Sequence, residues 1–166
     1  MIRVVTGPPC SGKTTHVRKH AGPLDVVIDL DAIAHALGYP AEHIDWGETS
    51  HPASPRAKTP RANTPPSTPP GSNTPHPSRV AAMRARASLV KAALDNGFGA
   101  PCVWIVDAQL SPVAATRYLN AGAEIVRLDP GADVCHQRAT DNGRPAATHE
   151  QIDRWYGDLG TTSTDW

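Results

Sequence analysis

The segment Gly7-Pro8-Pro9-Cys10-Ser11-Gly12-Lys13-Thr14 fits the spacing G-x-x-x-x-G-K-[ST] without a mismatch. The chemistry this spacing allows is the cradling of a phosphate chain. Successive backbone N–H groups must converge on phosphate oxygens, which calls for glycine where a Cβ would block the turn. A helix opening near Lys13 would aim its positive end at the same oxygens. Lys13 would reach the terminal phosphates, and the Thr14 hydroxyl would ligate Mg²⁺. Pro8 and Pro9 carry no N–H, so the donors must come from later residues. The expected nucleotide-binding set is therefore Gly7, Pro8, Pro9, Cys10, Ser11, Gly12, Lys13, Thr14 and Thr15.

Three further groups could act with this loop. Asp107 closes the apolar run Cys102-Val103-Trp104-Ile105-Val106 and is placed to hold Mg²⁺ through water. Its neighbour is Ala108, so a second carboxylate to activate water for hydrolysis is missing, which favours phosphoryl transfer. Asp29-Leu30-Asp31 follows the run Val26-Val27-Ile28. A carboxylate at that place can take the proton of an attacking hydroxyl. Asp31 is the candidate base; that Asp31 instead caps the helix from Ala32, and that Asp29 is a sheet-end residue, stay open. Arg138 and Arg144 flank the turn Asp141-Asn142-Gly143. Two arginines on a short late segment read as a lid that stabilises charge on a transferring phosphoryl group.

Elements must exist to position these residues. Four short, nearly continuous apolar runs, at residues 2–6, 26–28, 102–106 and 124–128, read as strands buried on both faces. Helical segments separate them: residues 13–20, 32–37, 79–95, a helix opened by Ser111-Pro112 and ended by Gly122, and a last one with Thr148 and Gln151 as a capping box. That last helix should bury Ile152, Trp155, Tyr156 and Leu159. The helix at 79–95 carries Val80, Met83, Ala87, Val90 and Leu94 on one stripe, flanked by Arg79, Arg84, Arg86 and Lys91. Ser78 is its expected cap and Asn96-Gly97 its close. Strands alternating with helices predict an α/β fold, a parallel sheet with helices on both faces.

The 166 residues suffice for one domain, expected over 1–160 with a tail at 161–166. Formal net charge is zero, so no global field draws the chain to nucleic acid or anionic membrane. No apolar run could span a bilayer, and the N-terminus leads into a strand, so a cytoplasmic protein without membrane contact is expected. Cys10, Cys102 and Cys135 are odd in number and far apart, which excludes a disulfide framework and disfavours zinc. The eight histidines show no ligand spacing. Residues 51–78 hold nine of the 17 prolines and no acidic or large apolar residue, so this stretch cannot build a core. It reads as a flexible, Pro-rich insertion, either passive or an arm that uses Arg56, Lys58 and Arg61 on a phosphate backbone. Trp46 could stack on a base or anchor its own segment.

On these residues the chain resembles the small P-loop kinases, most closely the kinase domain of bacteriophage polynucleotide 5′-hydroxyl kinase and more distantly the zeta-toxin kinases. The resemblance is carried by the loop from Gly7 to Thr14, by Ile28-Asp29-Leu30-Asp31, by Trp104-Ile105-Val106-Asp107 with Leu110-Ser111-Pro112, by the segment from Arg138 to Pro145, and by the helix around Trp155-Tyr156. It implies a P-loop NTPase three-layer sandwich of about four strands in the order 2-3-1-4 with a small lid. It also implies ATP with Mg²⁺ as donor, Asp31 as general base, and Lys13, Arg138 and Arg144 on the phosphates. Two departures stand out. Cys10 occupies a place where the family often has glycine, which puts an oxidisable thiol near the phosphates. The arginine that often follows the family's catalytic aspartate is absent from Asp31-Ala32-Ile33-Ala34-His35. The expected activity is a kinase acting on a hydroxyl of DNA, RNA, a nucleotide or a modified base. A small-metabolite kinase of similar build and an NTP-binding module without kinase activity are the alternatives.

Overall fold

The computed structural model describes residues 1–38 and 77–161, with side chains to residue 157. The Pro-rich segment up to residue 76, Trp46, the Leu159 side chain and the tail from residue 162 lie outside the described residues.

Four strands form one parallel sheet: β1 (Ile2–Thr6), β2 (Val26–Ile28), β3 (Val103–Asp107) and β4 (Ala123–Arg127), in the order β2-β3-β1-β4. The expected order 2-3-1-4 is the observed one. Six α-helices are described: α1 (Lys13–His20), α2 (Leu30–Ala36), α3 (Pro77–Asn96), α4 (Pro112–Asn120), α5 (Ala132–Asp141) and α6 (Ala146–Thr161).

Strand alternation sorts the side chains onto two faces. Val4, Ile28, Val103, Ile105 and Ala123 point to one face and pack with Val90 and Ala93 of α3 and Tyr118 of α4. Val5, Trp104 and Val106 point to the other and pack with Val17 of α1. Helices therefore cover both faces. A third, smaller core lies between α5 and α6, built on Cys135, Ala139 and Ile152 with Cys10 and Tyr156 against it. The far end of the sheet is pinned by Asp25, whose carboxylate accepts from Trp104 Nε1 at 3.0 Å and from the Cys102 amide at 3.1 Å.

Several local expectations shift. α3 begins at Pro77, so Ser78 sits inside the first turn and does not cap it. Proline at a first helical position needs no hydrogen bond for its missing donor, and its fixed φ suits the helix. α6 begins at Ala146, so Thr148 lies within its first turn, its amide donating to the Pro145 carbonyl at 2.8 Å, and the expected capping box is absent. Most consequential is the face of α3. Met83 is 55% exposed, whereas Ala82, Val90 and Ala93 are buried. Small residues, not the largest ones, mark the face that approaches the sheet, because alanine lets a helix backbone come close. Arg86 lies on that same face.

Ile105 is fully buried in the central strand pair, and Val113 is 81% exposed on α4. Ile105→Ala should lower unfolding free energy by about 2–5 kcal/mol, and Val113→Ala should stay within about 0.5 kcal/mol. Urea midpoints at constant slope measure both.

Candidate functional site

β1 ends at Thr6, level with Asp107 on one side and Arg127 on the other. The chain then turns sharply. Gly7 has φ +154°, and a Cβ placed on it would lie 2.3 Å from the Leu128 carbonyl oxygen. No side chain fits there. Pro8 is fully buried, Ser11 is 7% exposed, and Gly12 enters α1 at φ +94°. Cys10 also has a positive φ, +60°, which is uncommon for a residue with a Cβ.

Lys13 is half-buried, and its ammonium folds over the loop. Nζ donates to the carbonyls of Gly7 at 2.8 Å and Pro8 at 2.6 Å, and to Ser11 Oγ at 3.4 Å. Burial pulls the Lys13 pKa down, while Cys10, Asp29, Cys135 and Asp31 pull it up less strongly. Arg138, in the last turn of α5, reaches across the loop and donates from Nη1 to the Cys10 carbonyl at 3.2 Å. The loop thus presents two cations and the N-terminal amides of α1, which no side chain caps.

Asp29 is 5% exposed and has two donors. Its Oδ2 accepts from Thr14 Oγ1 at 3.2 Å, and its Oδ1 accepts from the Asp31 amide at 3.0 Å. The second bond makes Asp29 the N-cap of α2, which starts at Leu30. Asp31 is therefore not the cap; it lies in the first turn with its carboxylate exposed. Partial desolvation, then the Asp29 carboxylate, raise the Asp31 pKa; Arg79, Arg144 and Lys13 oppose the rise. Those three cations come from α3, from the α5–α6 connection and from the loop.

Asp107 closes β3, as expected, and is held by Arg86 of α3, whose Nη2 donates to Asp107 Oδ2 at 3.0 Å and to the Val106 carbonyl at 2.9 Å. The residue next to the Thr14 hydroxyl is Asp29. Of the expected set, the structure brings Lys13, Thr14, Asp31, Arg138 and Arg144 to one end of the sheet. Thr15 is exposed on α1.

Matched against known protein families and against characterised proteins, the chain has no counterpart. The geometry alone carries the argument from here.

Sequence reasoning also missed a polar cluster on the α5–α6 hairpin. His136 Nδ1 lies 2.8 Å from His149 Nδ1, and His136 Nε2 lies 2.8 Å from Asp153 Oδ1. The partners are 13 and 17 residues apart on different helices, so no local spacing announces them. Among the described residues, no group of three or more His, Cys, Asp or Glu side chains could hold a metal ion by itself.

Gly7→Ala would drive a methyl into the Leu128 carbonyl. The variant should lose more than about 3 kcal/mol of stability or fail to fold, whereas Gly143→Ala, where nothing lies within 4 Å, should cost about 1–2 kcal/mol for its positive φ alone. Chemical denaturation of the pair separates close contact from backbone strain.

Proposed function

We propose that this chain is an ATP-dependent kinase of P-loop build, transferring the γ-phosphate to a hydroxyl of a nucleic acid or nucleotide. The observation that carries the reading is the link from Thr14 through Asp29 to Asp31. It holds the backbone of Asp31, a residue whose pKa is raised, next to the loop that would hold the phosphates, at the carboxyl ends of a parallel sheet, where such folds bind ligands.

In this reading the loop amides and Lys13 cradle the β- and γ-phosphates. Lys13 gives up its carbonyl contacts for phosphate oxygens. Asp31 accepts the proton of the acceptor hydroxyl as the acceptor oxygen bonds to the γ-phosphorus. The bond from that phosphorus to the β–γ bridging oxygen breaks, and ADP leaves with the electron pair. Asp31 then returns its proton to solvent. Arg138 and Arg144 supply charge to the transferring group from the α5–α6 hairpin. Thr14 would hold Mg²⁺, which would supply positive charge to the phosphates. No described helix is long and apolar enough to cross a membrane, so nothing in these elements conflicts with an acceptor free in solution.

The sign of the Asp31 shift sets the pH behaviour. A carboxylate whose folded pKa is raised destabilises the fold once ionised. That cost is absent below the ordinary carboxylate range and complete above the folded pKa. Asp31→Asn should therefore raise the melting temperature at neutral pH, and the gain should shrink as pH falls into the carboxylate range. The same substitution should lower phosphoryl transfer at least about a hundred-fold. Transfer by the wild type should fall off on acidification at a pH above the ordinary carboxylate range.

The deciding assay uses γ-labelled ATP with 5′-hydroxyl DNA and RNA, DNA bearing hydroxymethylated bases, nucleosides and nucleotide sugars. Label on nucleic acid or nucleotide is the expected result. Label only on a small metabolite moves the acceptor class. Slow phosphate release alone, indifferent to Asp31→Asn, would sink the kinase reading.

A further inference from the structure

We infer that Asp29, and not Asp107, is the carboxylate that joins Thr14 at the divalent cation. The inference rests on the phosphotransferase reading above and adds the composition of its metal site.

Strand parity is the first argument. Along β3, Val103 and Ile105 face α3 and α4, while Trp104 and Val106 face α1. Asp107 continues the first series, onto the side opposite α1. Along β2, Val26 and Ile28 belong with α3 and α4. Asp29 has extended backbone at φ −121° and ψ 125°, so it continues the alternation and points to the α1 side. Thr14 stands on α1. Parity thus turns Asp107 away from the α1 face, and Asp29 toward it, where it meets the threonine hydroxyl.

The second argument is occupancy by charge. Asp107 already has a cationic partner in Arg86, which is anchored as well on the Val106 carbonyl. A carboxylate held by a guanidinium offers a dication less charge and less freedom. Among the described residues, Asp29 forms no ion pair within 4 Å; its two hydrogen-bond donors are a hydroxyl and an amide, both neutral, and the Lys13 ammonium acts on it without a direct bond.

The third argument is distance. Mg²⁺ takes oxygen ligands at about 2.0–2.1 Å in octahedral geometry, which puts neighbouring ligands about 2.9 Å apart. Thr14 Oγ1 and Asp29 Oδ2 are 3.2 Å apart. The two atoms already stand near the separation of adjacent ligands, and the remaining positions would fall to phosphate oxygens and water. The second oxygen of Asp29 holds the Asp31 amide, so the metal carboxylate and the general base are set by one side chain.

Asp29→Asn suits the test, because asparagine caps a helix as well as aspartate, its Oδ1 keeping the Asp31 amide while its Nδ2 donates to the Thr14 hydroxyl. The charge is removed, and the bond to Thr14 is kept with its direction reversed. The probes are ADP and Mn²⁺, and the readout is the ratio of ADP affinities with and without Mn²⁺, by calorimetry in Mn²⁺ and in EDTA. We expect Asp29→Asn to reduce this ratio at least about tenfold while ADP affinity in EDTA stays near wild type. Asp107→Asn should leave the ratio unchanged. A ratio unchanged in Asp29→Asn, or lost in Asp107→Asn, overturns the assignment while leaving the kinase reading intact. Should Asp29→Asn fail to fold by circular dichroism, Asp107→Asn decides alone: a retained ratio supports the assignment and a lost one overturns it. If the wild type binds no ADP in either condition, the kinase reading and the metal assignment fall together.

Discussion

β1 is hydrogen-bonded along its whole length on both sides, and this constraint governs the rest of the site. Its five residues are in register with β3 and with β4, so the strand can neither slide nor twist free. The chain must leave the sheet at one point, between two neighbours, and turn at once. It does so where the backbone of Leu128 leaves room for a glycine and nothing larger. The loop that follows is anchored at its entry by that close approach and at its exit by α1, whose Val17 is locked against Val5, Trp104 and Val106. A loop held at both ends keeps its amides fixed, and fixed amides are what make a phosphate site pre-organised.

The placement of α1 on one face has an electrostatic consequence. Carboxylates at strand ends are assigned to faces by whether their position is odd or even along the strand. Asp107 falls on the α3–α4 side and is met there by Arg86; Asp29 falls on the α1 side and meets Thr14. Burial of Asp29 is tolerable because both of its oxygens are hydrogen-bonded. It also places a negative charge close to Asp31, which contributes to the raised pKa of Asp31. One aspartate thus supports the other's chemistry, by holding its amide and by opposing its ionisation.

The sheet was readable in the sequence because a parallel strand buried on both faces leaves a continuous apolar run, and four such runs lie at residues 2–6, 26–28, 103–107 and 123–127, within a residue of where they are expected. The glycine–lysine loop was readable because its spacing has a single steric logic. Helix starts were less so. Ser111-Pro112 shows its cap and first position together, and Ser111 Oγ does accept from the Ala114 amide. Pro77 and Pro145 override the nearby Ser78 and Thr148, since proline's fixed φ decides where a helix can begin. The face of α3 was misassigned because hydrophobic weight favours Met83, whereas close packing against the sheet favours Ala82 and Ala93. The strand-end place of Asp107 was legible from the apolar run before it, and parity counted from Val103 puts its side chain on the α3–α4 face. The His136–His149–Asp153 cluster had no local signature at all, because it forms only when α5 and α6 pack.

The α5–α6 hairpin has a core of its own, and its ties to the sheet domain converge on two places. Arg138 holds the Cys10 carbonyl, and Tyr156 donates to Asp129 at 2.7 Å in the segment after β4. Cys10 adds an apolar contact to the hairpin core around Cys135, Ala139 and Ile152. A glycine at position 10 would take the positive φ without the Cβ penalty of about 1–2 kcal/mol, but it would offer the hairpin nothing to pack on. The thiol trades local backbone ease for a contact between the loop and the element that carries Arg138 and Arg144. Loop shape and hairpin position are then not independent. Displacing Cys10 from its left-handed conformation would carry its side chain out of the hairpin core, and moving the hairpin would strip Cys10 of the packing that helps hold it there. Cys10, the loop residue that carries both the left-handed backbone and the contact with the hairpin core, is therefore the residue that couples the loop to the element that carries Arg138.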